Sequence, residues 1–325
     1  METPRPKARR RQALNPARKI SSAQRPRVSI IIPCFHAGDT LESTLCSVLD
    51  QGYADLEILV VDGGSRDQTL DVLDRYEAQI NWFDSHTDTG PAEAINRAME
   101  VATGSIIGFL DADALLMPQV LSEVARRMGD SDGASWLIGQ AVGLDECGQL
   151  ADPLLPVRGL RLSSFLRHTQ GDPVRGAVFY KRSLLDQAGP LDPRLRFAWT
   201  FELHARLLAQ GFEPSIIGRG LSAIRVNENA SVMRSVRKGQ ERVAVGRRYL
   251  GEIDPRDRYA VWKSCDDRSK IYALALAELD PSSASRYLWD EARRQPWWVS
   301  DPVYREQLIA AAAPAEPAAS YRLAA

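Results

Sequence analysis

Three short apolar runs, at residues 28–32, 56–61 and 106–110, each have the length of a β-strand. The residues that follow them are Pro33, Asp62, and the pair Asp111 and Asp113. Runs of this length bounded by turn signals are typical of buried strands. Helix-length segments lie between them, and strands that alternate with such helices form parallel sheets through right-handed crossovers. The chain is therefore predicted to be an α/β protein with a mostly parallel, Rossmann-like sheet flanked by helices.

The segments between the runs have helical spacing. Residues 40–51, 67–76 and 91–102 each carry apolar side chains on one face. Asp39 and Glu42 resemble a capping pair for the first helix. A short strand is predicted at about residues 80–83, before the third helix.

The aspartates that follow the strands indicate a ligand site. Carboxyl ends of parallel strands meet at one edge, where ligands bind in open α/β sheets. Asp111 and Asp113 can hold a hard divalent cation there and, through it, a diphosphate. A structural alternative is that these aspartates cap the helix after residue 118, and that Asp62 caps the helix that follows it.

Several short segments occur in a characteristic order along the chain. They are Val28 to Phe35, Ser47 to Gln51, Val60 to Thr69, Asp88 to Gly90, Ala94 to Asn96, Ala102 to Gly104 and Phe109 to Asp113, with Gly189 to Asp192 further on. In this order and spacing they resemble glycosyltransferase family 2, whose members are inverting enzymes with a GT-A fold that use nucleotide-diphosphate sugars. The resemblance extends from residue 28 to about 120, and more weakly to about 230.

The resemblance implies roles for individual residues. The nucleotide-sugar would bind at Pro33, Cys34, Phe35, Asp62, Gly63, Asp111 and Ala112. In that arrangement Pro33 and Asp62 border the base and Asp111 lies near the ribose. Asp113, with Asp111, would bind Mn²⁺ or Mg²⁺. The implied donor is a UDP- or GDP-sugar, and the implied acceptor is a glycan, a lipid-linked molecule or a small molecule. Polysaccharide or other glycan synthesis is the expected process.

The expected catalytic base is missing from its usual position. The segment at residues 201–211 aligns with a family helix that begins with an aspartate acting as general base, and that position is Thr200 here. A threonine hydroxyl cannot accept a proton near neutral pH. Glu202 matches the helix's second acid and is the candidate base, although it also suits a helix N-terminus electrostatically.

Composition narrows the class of protein. The net charge of −1 over 325 residues gives no general nucleic-acid signature. The four cysteines lack metal or disulfide spacing, which favours a reducing, cytoplasmic compartment. No run approaches the ~20 apolar residues of a membrane span. The sequence indicates no oligomeric state.

Three regions are expected along the chain. Residues 1–27 hold nine Lys or Arg against one acid and predict a disordered basic tail, which is either solvated or attracted to anionic lipid at the inner face of the membrane. Residues 28–230 form the GT-A domain, divided into a nucleotide-binding half (28–120) and an acceptor half (121–230). Residues 231–325 form a helical extension that begins with a basic helix.

The acceptor half is predicted to contain a hairpin of strands 136–139 and 141–144, a strand at 178–180 and a helix at 183–187.

Three other functions compete with this interpretation. A dehydrogenase requires a Gly-x-Gly-x-x-Gly turn after the first strand, and residues 33–38 do not supply it. A sugar nucleotidyltransferase requires a glycine-rich, basic loop there, which is also missing. The third rival is a catalytically degenerate nucleotide-sugar-binding or scaffolding protein, which Thr200 favours.

Overall fold

The computed structural model describes residues 25–87, 90–129, 133–144, 150–153, 159–168, 173–225 and 231–312. Its first part alternates strands and helices as predicted. The elements are β1 Val28–Cys34, α1 Leu41–Leu49, β2 Leu56–Asp62, α2 Thr69–Arg75, β3 Trp82–Ser85, α3 Pro91–Val101 and β4 Ile106–Phe109. Most of the predicted tail and the last thirteen residues lie outside the described part.

The second part is less regular. It contains β5 Ala114–Leu116, α4 Val120–Met128, β6 Trp136–Leu144, β7 Leu150–Pro153, α5 Leu162–Leu166, a 3-10 helix Arg175–Ala177, β8 Val178–Lys181, α6 Arg182–Ala188, α7 Trp199–Ala209 and β9 Ser215–Arg225. The C-terminal helices are α8 Val232–Arg248, α9 Pro255–Leu279, α10 Pro281–Arg294 and α11 Pro302–Ala312, with 3-10 turns at Leu250–Glu252 and Pro296–Ser300.

Nine strands of the described chain form one sheet in the order β3-β2-β1-β4-β8-β6-β9-β5, with β7 on β6. Strands β3, β2, β1 and β4 are parallel to one another. Strand β8 is antiparallel to both β4 and β6, while β6 and β9 pair in parallel. The helices that flank the sheet confirm the predicted α/β class, with the parallel half at the N-terminus.

Three local predictions need correction, and one strand was missed. Residues 136–144 form one continuous strand instead of a hairpin around Gln140, and the turn predicted after it lies outside the described residues. Strand β3 begins two residues later than predicted. The N-cap of α1 is Thr40 without a side-chain bond, so Asp39 and Glu42 form no capping box. Strand β9 was not predicted, since Gly218 and Gly220 interrupt its apolar pattern.

Two apolar layers cover the faces of the sheet, because strand side chains alternate between them. Ile31 and Phe109 face a layer that also contains Trp199 of α7, and Ile30 and Ile32 face the layer of α1 and α4. Val243 of α8 and Val261 of α9, with further residues of both helices, belong to the first layer. The domain boundary at residue 230 stays a prediction, but these helices share the core of the preceding domain.

A buried carboxylate joins the elements at the amino edge of the sheet. Glu57 accepts hydrogen bonds from the Ser29 hydroxyl (2.5 Å), the Thr103 backbone N–H (2.8 Å) and the Thr103 hydroxyl (2.8 Å). The backbone N–H of Gly104 donates to the Ser29 hydroxyl at 2.9 Å. A Cβ at Gly104 would lie 2.4 Å from that oxygen, so this close approach requires glycine. The Ala-Thr-Gly segment is therefore structural.

The last helices form a smaller apolar cluster of their own. It includes Leu276 of α9, Leu288 of α10 and Tyr304 of α11. Arg247 of α8 donates to both oxygens of the buried Glu291, at 2.8 and 2.7 Å, which joins this cluster to the domain. Within the described residues, no helix combines the length and apolar composition that crossing a bilayer requires.

Candidate functional site

The carboxyl ends of the first strands meet at one edge of the sheet. Asp62 is in register with Cys34 of β1 on one side and with Ser85 of β3 on the other. The Leu110 backbone N–H donates to the Ile31 carbonyl at 3.0 Å, which brings the residues after β4 to the same edge. The predicted convergence of these strand ends is confirmed.

Asp62 is fully buried and organises its own turn. Its carboxylate accepts from the backbone N–H groups of Gly64 (3.2 Å) and Ser65 (2.9 Å). It also accepts from the hydroxyls of Ser65 (2.5 Å) and Ser85 (2.6 Å). Since α2 begins only at Thr69, Asp62 caps this loop and not the helix. Contact with a nucleobase stays a prediction, and a base would compete with these donors and with the Cys34 thiol, which lies 3.8 Å from Oδ1.

Side chains after Asp62 hold the loop that follows β1. The backbone N–H groups of residues 36, 37 and 38 donate in turn to Ser65 Oγ (2.7 Å), Thr69 Oγ1 (2.8 Å) and Asp67 Oδ2 (3.1 Å). The Thr69 hydroxyl and, to a smaller extent, the backbone N–H groups of Gly38 and Thr69 lower the pKa of Asp67 to about 2. The Asp-Gly-Gly-Ser-Arg-Asp-Gln-Thr segment thus fixes two strand-end loops against each other.

The other residues predicted to contact the nucleotide line the same edge. Cys34 is buried, and burial, followed by the nearby Asp62 charge, raises the pKa of its thiol. Pro33 and Gly63 are half-buried. Phe35 is 60% exposed, and its ring centre lies 4.1 Å from that of His36, so the rest of its surface is accessible to a ligand. Their contact with a nucleotide stays a prediction.

Asp111 and Asp113 lie in a tight turn between β4 and β5. The Ala114 backbone N–H donates to the Asp111 carbonyl at 3.0 Å, and buried Ala112 separates the two carboxylates. Asp113 is exposed and Asp111 partly so. Partial desolvation and the Asp111 charge raise the pKa of Asp113. The two carboxylates therefore repel each other, and a cation between them would relieve the repulsion.

One face of α1 holds this turn in place. The Thr44 hydroxyl lies 2.9 Å from the carbonyl oxygens of both Ala112 and Ala114. Ser47 Oγ accepts from the Leu116 backbone N–H at 3.1 Å. Gln51, one turn further along, donates to the Met117 carbonyl and accepts from the Val120 N–H (3.0 and 2.8 Å). The Ser47–Gln51 segment thus positions the aspartate turn and contributes no ligand-facing chemistry of its own.

Arg175 reaches Asp111 from the 3-10 helix before β8. Its Nε and Nη2 atoms donate to Asp111 Oδ2 at 2.9 and 2.6 Å. The guanidinium also lies 5.3 Å from the ring centre of Trp199. A Cβ at Gly176 would come within 2.9 Å of Leu110 and Ser222, so the segment that carries Arg175 is closely packed on the sheet.

The donor set fits a divalent cation that completes its coordination from a ligand. The described residues contain no cluster of three or more His, Cys, Asp or Glu side chains with metal-binding geometry. Mg²⁺ is commonly held by one or two carboxylates together with substrate phosphates and water. Asp111 and Asp113 supply that number of carboxylates at a solvent-exposed turn.

The two residues at the expected base position are buried. Thr200 and Glu202 lie in the first turns of α7 and are 6% and 4% exposed. Glu202 Oε2 accepts from Arg206 at 3.0 Å, and Oε1 accepts from the Tyr249 hydroxyl at 2.8 Å. Arg248 adds a second positive charge at 3.7 Å. This geometry is typical of a structural ion pair, and the catalytic role of Glu202 stays a prediction.

Helix α8 contacts the segment that precedes α7. Glu241 accepts hydrogen bonds from three successive backbone N–H groups, at residues 196, 197 and 198, over 2.8 to 3.0 Å. Those residues lead into α7. Arg234 of α8 lies 6.0 Å from the ring centre of Phe197, and its charge acts on Asp113. The helical extension therefore holds the segment before α7, and one of its charges acts on Asp113.

A surface cavity of about 300 Å³ lies elsewhere, between α3 and α6. None of the predicted site residues lines it. Asn96 and Leu191 at its wall exchange two hydrogen bonds of 2.9 Å, which join the Ala-Ile-Asn and Gly-Pro-Leu-Asp segments. These two segments are explained by packing.

Sequence reasoning missed Arg175 and Thr44, and it placed Arg234 and Glu241 on the basic helix of residues 231–250, as part of a face that is solvated, membrane-facing or phosphate-facing, without assigning either to the site. Thr44 carries a weak signal, since a polar side chain interrupts the apolar face of α1. Arg175 and Glu241 have none, because both act across contacts between residues that lie far apart in the chain.

Comparison with known proteins agrees with this architecture. The model of the family described as Glycosyl transferase family 2 matches residues 29–188. A PGL/p-HBAD biosynthesis glycosyltransferase of Mycobacterium tuberculosis (strain ATCC 25177 / H37Ra) is 26% identical over 208 residues, 63% of this chain and 77% of that protein. TuaG of Bacillus subtilis (strain 168), whose name associates it with teichuronic acid biosynthesis, is 40% identical over 92 residues, 27% of this chain and 36% of that protein.

Two solved structures share the fold at low sequence identity. S. aureus TarS 1-349 in complex with UDP-GlcNAc has a TM-score of 0.58 at 17% identity, over 88% of this chain and 79% of that one. The mannosyltransferase PcManGT from Pyrobaculum calidifontis, in complex with GDP-Man and Mn²⁺, has a TM-score of 0.56 at 20% identity, over 89% and 87%. Residues 29–188 of this chain therefore form a glycosyl transferase family 2 domain, which has the GT-A fold.

Proposed function

We propose that this protein transfers a sugar from a nucleotide-diphosphate sugar to an acceptor hydroxyl with inversion, using a divalent cation. The observation that carries the proposal is the edge where Asp62, Asp111 and Asp113 converge, with the Asp113 carboxylate exposed. The two neighbouring structures contain UDP-GlcNAc and GDP-Man, which supports a donor of this class. The names of the relatives support a role in glycan biosynthesis.

The proposed roles follow from exposure and charge. Asp113 and Asp111 would hold Mn²⁺ or Mg²⁺, a Lewis acid that stabilises the charge developing on the leaving diphosphate. The exposed Phe35 ring, with Pro33 and Gly63, would border the base. Asp62 would act mainly by holding the loops that shape this pocket.

In the proposed displacement, the bond from the anomeric carbon to the diphosphate oxygen breaks while the acceptor oxygen bonds that carbon from the opposite face. The acceptor's proton must pass to a base. Thr200 cannot accept it, and Glu202 is buried with Arg206 and Tyr249 already bonded to its two oxygens. The closed surroundings of this helix support a second candidate function, nucleotide-sugar binding without efficient turnover.

A screen of nucleotides with each metal tests the proposal. Calorimetry or thermal unfolding with UDP and GDP, each with Mn²⁺, Mg²⁺ or a chelator, should identify one nucleotide that stabilises the protein only with metal. Hydrolysis or transfer of the corresponding donor sugar then separates the two candidates. Failure of every nucleotide-metal pair to bind would contradict both.

A further inference from the structure

One oxygen of the Asp111 carboxylate already pairs with a positively charged side chain, that of Arg175. Both hydrogen bonds from Arg175 end on Oδ2, and the two side chains are about equally accessible, at 24% and 27% exposure. The ion pair therefore lies within reach of a ligand. Asp111 is also one of the two carboxylates that the proposed function assigns to the metal, so the inference below rests on that function.

A divalent cation at Asp111 and Asp113 would change the balance of charge around Arg175. In the ligand-free site, the guanidinium neutralises one of the two carboxylates. A metal bound to the same carboxylates would repel Arg175 and compete with it for Asp111. A diphosphate would remove the conflict, because it offers oxygens to the metal and to the guanidinium at once.

We propose that Arg175 couples the binding of metal to the binding of the donor's diphosphate, by releasing Asp111 and pairing with the diphosphate. An arginine suits this exchange, since its planar guanidinium binds carboxylate and phosphate oxygens in the same forked geometry. Trp199 supports the guanidinium on a ring face, and Gly176 anchors the backbone beside it. Arg175 is thus a binding and positioning residue.

The proposed coupling predicts two effects in one variant. Mn²⁺ should bind more tightly without nucleotide, and the nucleotide should enhance Mn²⁺ binding less. Mn²⁺ binding to the full chain is measured by electron paramagnetic resonance, alone and with UDP or GDP, in wild type and in Arg175→Gln. Without nucleotide, the variant should bind Mn²⁺ several-fold more tightly, because its competitor has gone. The enhancement of Mn²⁺ affinity by the nucleotide should fall by about 10-fold, within the usual range of coupling between sites.

Two controls keep the result specific. Arg175→Lys retains the charge without the fork and should lie between wild type and Arg175→Gln. Arg126→Gln removes an exposed arginine that pairs with Glu123 on α4, and should leave both measurements unchanged. In wild type, inorganic pyrophosphate alone should also tighten Mn²⁺ binding, whereas inorganic phosphate should do so much less.

The outcomes separate this inference from the proposed function. A folded Arg175→Gln protein with wild-type Mn²⁺ affinity and wild-type coupling would overturn the inference alone. The same holds if the variant binds Mn²⁺ more weakly, which would show that Arg175 only positions Asp111. If Arg175→Gln does not fold, a failure of pyrophosphate to tighten Mn²⁺ binding in wild type overturns the inference. A wild-type protein that binds neither nucleotide nor metal overturns both.

Discussion

The carboxyl edge of the sheet and helix α7 both carry acidic residues, but the surroundings of these residues differ. At the edge, Asp113 is exposed and its pKa is raised by partial desolvation and by Asp111. On α7, Glu202 is 4% exposed and both of its oxygens accept hydrogen bonds from side chains. The carboxylate at the edge is suited to a ligand that arrives from solvent, whereas Glu202 is already neutralised inside the protein.

The largest expected effect is at the edge. Asp113→Asn should weaken metal-dependent nucleotide binding by on the order of 10²-fold or more, since even indirect ligand partners contribute 10- to 100-fold. Calorimetry with Mn²⁺ and the nucleotide measures it. Thermal stability should be unchanged, and Asp74→Asn, an exposed carboxylate on α2, is the matched control. Wild-type binding by a folded Asp113→Asn protein would remove Asp113 from the metal site.

Glu202→Gln tests whether the acid on α7 has a structural role. If Glu202 is structural, the variant should lose about 1–3 kcal/mol in free energy of unfolding, because a buried charged network is broken. Tyr249→Phe should also destabilise the protein, by less. Urea unfolding measures both.

The structural interpretation of Glu202 has a clear contrary result. If Glu202→Gln unfolds like wild type while transfer falls by ~10²–10⁴, Glu202 is the general base. Thr200→Asp adds a further check. A rise from negligible transfer would support nucleotide-sugar binding without turnover in the natural protein.

The same contrast explains what the sequence could predict. The parallel half of the sheet follows from local patterns, since its strands are apolar runs and each helix has one apolar face. The convergence of Asp62 and Asp111 follows from strand order alone. In contrast, the burial of Glu202 depends on Tyr249 and Arg248, which lie more than forty residues away and carry no mark of that contact.

Strand β9 and the continuous β6 were harder for a related reason. Gly139 and Gly143 in β6, and Gly218 and Gly220 in β9, resemble turn signals. At Gly139 a Cβ would lie 2.2 Å from Leu221 Cγ, so that glycine is set by the contact between these strands. From the sequence alone, a glycine required for close packing cannot be distinguished from a glycine required for a turn, because the position of the partner strand is not known.

An intermediate effect is expected at Thr44, which holds the turn that carries Asp111 and Asp113. Thr44→Val keeps the shape but leaves two carbonyl oxygens without their hydroxyl donor, and should cost about 1–3 kcal/mol in free energy of unfolding. Metal-dependent nucleotide binding should weaken less than in Asp113→Asn. Thr44→Ser should restore most of both properties. Unchanged stability in Thr44→Val would show that the turn is held by other contacts.

The smallest effect concerns pH at the loop after β2. The pKa of Asp67 is lowered from 3.8 to about 2 in the folded protein, mainly by the Thr69 hydroxyl. Its contribution to stability is therefore present above about pH 4 and is lost as the pH falls towards 2. The difference in unfolding free energy between wild type and Asp67→Asn should shrink from pH 6 to pH 3. A difference that stays constant over this range would contradict the assignment, and Asp71→Asn is the control.

Glu241 on α8 binds three consecutive backbone N–H groups at residues 196–198, none of which depends on the identity of a side chain there. These three hydrogen bonds would therefore survive most changes of side chain at residues 196–198, provided that the distant acid is kept. Exchange of the C-terminal helices between relatives would succeed only where the incoming helix carries an acid at the same place. Helix α8 and the segment before α7 should therefore be conserved together, although about forty residues separate them.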